Sequence, residues 1–370
     1  MSLVSLYFHI PFCKKKCPYC HFYVVKDRPD LQALFLEALF IEWEQKKPLL
    51  EGKVLASIYF GGGTPSLLAP ESLGALLQKI EESGFSLEGI EITMEANPEE
   101  GNTTYFSSIR SLGINRLSIG VQSLDNASLL KIGREHGEMG AKKAILAAHH
   151  ASFENISIDL MYDLPDQTEK SFAYTLDEIA NLPIHHLSLY NLTIEPNTAF
   201  YRKRHELSLP HSAYSLQLLE LALHKLPLLG FQRYEISAFA KDEKKSTHNF
   251  GYWTGRPFLG FGPSAFSYWE GERSCNIPNV LQYAKLLQSG KSPTHFTEKL
   301  PSPQDAQELF AVRLRLFDGA NLEHYPTLSQ ETLTACSKWL ATGHLIQEGS
   351  QIRLTPQGAL FYDEIASDLI

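Results

Sequence analysis

The chain has 370 residues, 44% of them hydrophobic, with 33 lysines and arginines against 42 aspartates and glutamates for a net charge of −9. That length supports one large domain plus a smaller one, and no basic block of the kind that nucleic-acid binders carry is present, so nucleic acid is not an expected partner. No stretch reaches the roughly 18 apolar residues of a membrane span, and the opening MSLVSLYFHIPFC lacks the basic segment and apolar run of a secretory signal, so a cytoplasmic protein without a transmembrane segment is expected.

Short apolar runs alternate with helical patterns over the first 240 residues. Strands are predicted at Ser5–Ile10, Ala56–Phe60, Gly89–Glu95, Arg116–Gly120, Ile156–Met161 and His186–Leu192. Helices are predicted at Asp30–Gln45, from about Pro70, and at Thr103–Leu112, Met139–His150, Thr168–Asn181 and Ala213–Leu229, with Asp30 as the N-cap of the first. Six strand–helix units in strict order imply an α/β fold with a parallel sheet. Residues able to act fall at strand ends: Cys13 after the first, Gly61–Gly63 after the second, Glu95 on the third, Gln122 after the fourth, Asp159 late in the fifth, Thr193 after the sixth. Barrels gather such residues at one mouth, whereas a doubly wound sheet concentrates them at a switch point, so a partial (β/α)6 barrel over 1–240 is expected. Asn126 and Asp166 are read as ordinary turn residues.

From 241 to 300 the chain is dense in aromatics and glycine, after a charged run at Lys241–Lys245 read as a solvated loop. Pro301–Pro303 reads as a linker. Residues 301–370 read as a small α/β C-terminal domain whose order at Trp339–Ile346, Gln351–Leu354 and Thr355–Ile365 (helix, turn, strand, helix) is winged-helix-like.

Of five cysteines, Cys275 and Cys336 stand alone, while Cys13-Lys-Lys-Lys-Cys17-Pro-Tyr-Cys20 forms a C-x3-C-x2-C run just after a strand. An odd count with three clustered thiols suits an intracellular metal site, not a disulfide framework. Three thiolates at this spacing can wrap a [4Fe–4S] cubane and leave one iron open. Lys14, Lys15 and Lys16 would offset its negative charge. Zinc, with His9 or His21 as fourth ligand, is the competing assignment, but zinc sites usually pair a C-x2-C with a second distant pair, absent here.

YFHIPFCKKKCPYC, together with GGGTPS at Gly61–Ser66, EANP at Glu95–Pro98, RLSIGVQS at Arg116–Ser123, GREH at Gly133–His136 and DLMYDLPDQT at Asp159–Thr168, resembles the radical S-adenosylmethionine proteins and, within them, the oxygen-independent coproporphyrinogen III oxidase family. The resemblance covers most of the chain. It implies that the open iron binds S-adenosylmethionine and that an electron donor reduces the cluster to split the cofactor's sulfonium bond. It places Tyr7, Gly61, Gly62, Gly63, Thr64, Glu95, Gln122, Arg134, Asp159 and, more loosely, Thr193 around that cofactor. Triple glycine permits positive φ and close backbone approach to a ligand. Glu95 can accept from an amine or a hydroxyl. Arg134 suits a carboxylate, with a surface ion pair to Glu135 or Glu138 as the competing reading. Asp163 stands where the family usually has glycine, which would strain any positive φ there.

Two positions separate the branches of this family. The oxidases carry a fourth cysteine where this chain has Phe22, and a phenyl ring neither ligates metal nor relays a proton. His248-Asn-Phe-Gly-Tyr252-Trp253 resembles the H-N-x-x-Y-W motif of the sister branch, the heme chaperones, to which heme binding is attributed. His248 can ligate heme iron while Tyr252 and Trp253 cover the porphyrin; by composition alone, a packed aromatic loop with a hydrogen-bonded histidine is the competing reading. The resemblance therefore implies heme and a heme-accepting apo-protein as partners, with coproporphyrinogen III decarboxylation as the alternative activity. His149, His150, His185 and His186 are read as structural or exposed.

Overall fold

The structure, a computed structural model, describes residues 2–370. Six parallel strands form its centre: β1 (Leu3–Ile10), β2 (Val54–Gly62), β3 (Glu91–Ala96), β4 (Arg116–Gln122), β5 (Ile156–Tyr162) and β6 (His186–Asn191). Each pairs in parallel with the next. This unreversed order is that of a barrel and not of a doubly wound sheet, as expected. Helices α1 (Pro29–Lys46), α2 (Pro70–Glu82), α3 (Thr103–Ser111), α4 (Asn126–Lys131), α5 (Gly137–His150), α6 (Glu169–Glu178) and α7 (Ser212–Leu228) alternate with them.

Period two explains how each strand serves two surfaces. Along β1, Val4, Leu6, Phe8 and Ile10 are fully buried in the shell, where Phe35, Leu39 and Trp43 of α1 belong to the same apolar core. Ser5, Tyr7 and His9 alternate with them and face inward. The same alternation puts Ser57 and Tyr59 of β2 inside and Ile58 and Phe60 outside. The barrel lumen is polar and aromatic, so its walls can carry chemistry.

The sheet extends past the six predicted strands to twelve among the described residues. Strand β7 (Phe258–Phe261) adds in parallel to β1, and antiparallel strands at Phe266–Trp269, Glu272–Asn276 and Thr294–Lys299 follow. Glu42 of α1 holds this addition in place. Its carboxylate is fully buried and accepts from the Gly262 amide at 2.8 Å, Asn276 Nδ2 at 2.7 Å and the Tyr283 hydroxyl at 2.6 Å, with the Lys46 ammonium at 2.6 Å. A buried charge with every oxygen occupied is tolerable; an unpartnered one is not.

Four local readings change. Pro29 opens α1 at its first helical position with Arg28 as N-cap, so Asp30 lies inside the first turn, where it pairs with Arg28. Asn126 belongs to α4 and accepts from the Glu138 amide at 2.8 Å, linking two helices; it is more than a turn residue. His248–Trp253 is not a loop: α8 spans Thr247–Trp253. In the C-terminal domain, the helix from Gln330 stops at Ala341, Gly343 turns the chain at φ 74°, and Leu345–Glu348 pairs with Gln351–Leu354 as a hairpin. That hairpin packs with helices Gln304–Arg313 and Tyr362–Leu369 around Phe310, Leu314, Ile352 and Ile365.

Asp163 does adopt positive φ, at 62°. Aspartate visits this region more easily than most residues, and Asn191 Nδ2 donates to its Oδ2 at 2.7 Å. The other oxygen is buried without a partner, and burial holds the carboxyl above the usual range. Because the folded group prefers its proton, this residue stabilises the fold least once it is ionised, and stability it withholds at neutral pH returns on acidification. Asp163→Asn keeps the tolerance for positive φ and removes the buried charge. We expect it to stabilise the protein at pH 7 by about 1 kcal/mol, read as a melting temperature higher by a few degrees, with a smaller gain at pH 4.

Candidate cofactor site

A cavity of 620 Å³ opens where the strands end. Cys13, Cys17, Cys20, Gly62, Gly63, Thr64, Glu95, Gln122, Arg134, Asp159 and Thr193 all line it. Tyr7 and Gly61 lie just below its wall and do not line it.

The cysteine loop is set by a two-residue strand, Phe12–Cys13, paired with Val25–Lys26. Cys20 N–H donates to Cys17 O at 3.1 Å, and Phe200 N–H donates to Pro18 O at 2.9 Å, which fixes the loop tip against the β6 side of the mouth. Burial pushes the Cys13 thiol up to about 11 and raises that of Cys20 too. Cys13 Sγ lies 3.5 Å from Thr64 Oγ1, which accepts from Asn97 Nδ2 at 2.9 Å. Asn97 Oδ1 accepts from Arg134 Nη1 at 2.7 Å, and Arg134 Nε reaches the Tyr19 hydroxyl at 3.4 Å. Tyr19 stands between Cys17 and Cys20, so the chain of contacts returns to the loop it left.

The lysines and an arginine share the counter-charge around the thiols. Lys14 pairs with Glu100 at 2.9 Å, Lys15 pairs with Glu135, and Lys16 donates to Phe22 O at 3.0 Å. The lysines staple the loop to its neighbours. Lys16 favours the thiolate at Cys20, and Arg134, from the opposite wall, favours it at both Cys13 and Cys20. Glu135 and Glu138 are taken by Lys15 and Lys142, so Arg134 makes no surface ion pair with either.

The glycines answer to protein as well as ligand. A Cβ on Gly62, at φ 106°, would lie 2.5 Å from the His9 ring, and one on Gly63 would lie 2.6 Å from Phe12 O. No larger residue fits at Gly62 without displacing the His9 ring, or at Gly63 without moving the backbone that leads into the cysteine loop. On the opposite wall, a Cβ on Gly120 would lie 3.0 Å from Gln122 Nε2 and 3.2 Å from an Arg134 nitrogen. Gln122 ends β4 at φ 66°.

Glu95 accepts from the Tyr59 hydroxyl at 2.9 Å and from Gly62 N–H at 3.0 Å. Burial first, and then the Asp159 charge, push its carboxyl up to about 7. Asp159, also raised by burial, accepts from Ser118 at 3.3 Å. Two carboxyls in one cavity favour a ligand with positive charge or several N–H and O–H groups. Thr193 donates to Asn191 Oδ1 at 3.1 Å on the exposed rim.

The donor set fits a polynuclear cluster better than a single ion. Among the described residues, no three histidine, cysteine or acidic side chains converge closely enough for one metal ion. His9 is committed: Nε2–H donates to Tyr23 O at 2.9 Å and Nδ1 accepts from Tyr7 at 3.1 Å, while burial keeps the ring neutral. His21 is exposed and lies against Phe22, ring centres 4.6 Å apart.

His248, Tyr252 and Trp253 lie elsewhere. Helix α8 sits at the end of the barrel where the strands begin, with Thr247 N–H and His248 N–H each 2.9 Å from a Glu91 carboxylate oxygen. His248 is 1% exposed. Its Nδ1 is 2.9 Å from Ser57 Oγ and its Nε2 is 2.8 Å from the Tyr252 hydroxyl, so neither nitrogen is available to iron in this geometry. Tyr252 packs edge-on to Phe258, and the Arg315 guanidinium covers the Trp253 ring at 4.3 Å. Asn97 and Tyr19, which complete the contacts around the thiols, were not singled out from the sequence, although EANP and CPYC contain them.

A partial barrel with three thiols at its mouth and a glycine-rich second strand end defines a radical S-adenosylmethionine type of protein, and residues 7–179 match the Radical SAM superfamily. Over 98% of its length the chain is 33% identical to the heme chaperone HemW of Bacillus subtilis, spanning 97% of that protein. It is 31% identical to the Escherichia coli heme chaperone HemW, over 98% of this chain and 97% of that one. Coproporphyrinogen III oxidase (HemN) from Escherichia coli, a radical SAM enzyme, superposes on all of this chain and 90% of its own with a TM-score of 0.87 at 25% identity. The chain belongs to the HemW family of radical SAM proteins. That membership implies S-adenosylmethionine and a [4Fe–4S] cluster, and the site accommodates both.

Two outcomes test the site. Anaerobic reconstitution should load about four irons and four sulfides per chain. Cys17→Ala should lose them and Cys275→Ala should keep them; a Cys336→Ala protein as empty as Cys17→Ala would refute the ligand set. Separately, Glu95 carries its charge only above about pH 7. A cofactor amine binds the carboxylate, not the acid, so affinity should fall on acidification by up to about tenfold per pH unit. Equilibrium dialysis between pH 8 and 6 should show this slope, and Glu95→Gln should flatten it.

Proposed function

We propose that this protein is a heme chaperone: it holds a [4Fe–4S] cluster and S-adenosylmethionine in the barrel mouth, binds heme, and delivers it to an apo-protein in the cytoplasm. Cys13, Cys17 and Cys20 would hold the cluster, leaving one iron open to the cofactor's amino and carboxylate groups. Glu95 would take the amine, with Gly62 N–H fixing the carboxylate's orientation, and Arg134 would balance the thiolates. When bound, cluster and cofactor supply one-electron chemistry from an external donor.

The observation that carries the chaperone reading is Phe22. It lines the cavity mouth, 51% exposed, where the oxidases have a thiol. A phenyl ring offers no hydrogen bond and accepts no proton. The near full-length likeness to proteins named heme chaperones supports the same reading. The structural likeness to coproporphyrinogen III oxidase, over all of this chain, favours the second reading, radical decarboxylation.

His248 remains the proposed iron ligand, with Tyr252 and Trp253 beside the porphyrin. Ligation requires α8 to leave its seat, because both ring nitrogens are otherwise bonded. The purified protein should bind heme with a Soret band that His248→Ala shifts or weakens. It should leave coproporphyrinogen III unconverted with full cluster, cofactor and reductant. A spectrum indifferent to His248→Ala would move the heme site elsewhere, and measurable decarboxylation would reverse the two readings.

A further inference from the structure

The inner face of β2 touches both ends of the barrel. Its residues at 57 and 59 point into the lumen together. Ser57 Oγ meets His248 Nδ1 at 2.9 Å and also donates to Ser5 Oγ at 2.9 Å. Tyr59, two residues on, lies with its ring centre 4.9 Å from that of His248, and its hydroxyl donates to Glu95 at the base of the cofactor cavity. The same Glu95 accepts from Gly62 at the end of β2. One rigid side chain therefore joins the floor of the cavity to the histidine that seats α8. Tyr59 is 9% exposed and His248 1%, so neither can move without the other adjusting.

We infer that Tyr59 is a positioning residue that couples the two ends: a cofactor engaging Glu95 tightens the seat of α8 and so withholds His248 from heme. The sign follows from hydrogen-bond chemistry. A cofactor amine that donates N–H to Glu95 favours its carboxylate, a stronger acceptor for the Tyr59 hydroxyl than the neutral acid. A firmer Tyr59 leaves the His248 ring less room to swing out. Linkage makes the effect reciprocal, so heme bound through His248 would weaken cofactor binding by the same factor. Filling the mouth would thus favour heme release. The inference rests on His248 being the heme ligand proposed above, but the seating of α8 can be measured without heme.

The test uses the full chain with its cluster reconstituted. Hydrogen exchange at the Thr247 and His248 amides, both donated to Glu91, reports the seat. Saturating S-adenosylmethionine should slow it by about fivefold or more, the lower end of ordinary coupling. Heme titration should weaken by a similar factor. Tyr59→Phe, which keeps the ring and loses the bond to Glu95, should abolish both effects, with cofactor binding verified by dialysis. A merely structural Tyr59 would lower stability and leave the cofactor dependence of exchange intact. Exchange indifferent to cofactor in the unaltered protein overturns the coupling. Exchange that responds while no heme binds refutes the heme reading and leaves the coupling standing. Should Tyr59→Phe not fold, Ser57→Ala replaces it, expected to speed exchange at both amides at least about fivefold without cofactor, as loss of one buried hydrogen bond allows; unchanged exchange there also counts against the link.

Discussion

The site depends on one closed run of side-chain contacts: Cys13 to Thr64, Thr64 to Asn97, Asn97 to Arg134, Arg134 to Tyr19. It begins and ends on the cysteine loop and passes through segments following β2, β3 and β4. Without it, a loop of eight residues with three thiols would be held by its short strand pairing, one turn, the Phe200 contact at its tip and lysine contacts at its surface, none of which reaches a thiol. With it, a cation that favours the thiolates is held by the groups that position them. Arg134 suits this place because its planar fork reaches Asn97 and Tyr19 at once, which a lysine cannot do.

The lumen extends the same logic downward. Inward positions that most barrels fill with branched aliphatic residues hold Ser5, Tyr7, Ser57, Tyr59, Arg116 and His186 here. Each polar group needs a partner in a volume without bulk water. Ser157 and Tyr234 serve the two nitrogens of His186, at 2.7 and 2.9 Å, and Ser57 and Tyr252 serve those of His248. Such an interior is specific: a side chain that changes partner leaves another unsatisfied, so alternatives are few and discrete.

Much of this was legible in the sequence, for identifiable reasons. The six parallel strands are short apolar runs spaced by helical patterns, and strand ends carry Cys13, Glu95, Gln122 and Asp159 in order, which is what a single mouth requires. Strand β7 was not legible, because Phe258–Phe261 sits among glycines and aromatics with no alternation to mark it, and its partner is the first strand of the chain. Part of the counter-charge was hidden for a similar reason. Three lysines adjoin the thiols in sequence, and Lys16 does favour the Cys20 thiolate, but Lys14 and Lys15 pair with Glu100 and Glu135, whereas Arg134 arrives from the opposite wall. The seat of His248 was invisible too, since its partners Ser57 and Glu91 lie on strands far upstream.

Glu42 has a consequence for how the molecule is made. The carboxylate that waits on α1 is satisfied by Gly262, 220 residues later in the chain. Until that segment has left the ribosome, β1 keeps a bare outer edge of unpaired amides and carbonyls flanked by Leu6 and Phe8, and α1 carries a charge with no partner but Lys46. Exposed strand edges of this kind invite pairing with other chains. The barrel thus starts synthesis with this border open, and β7 is the piece that closes it.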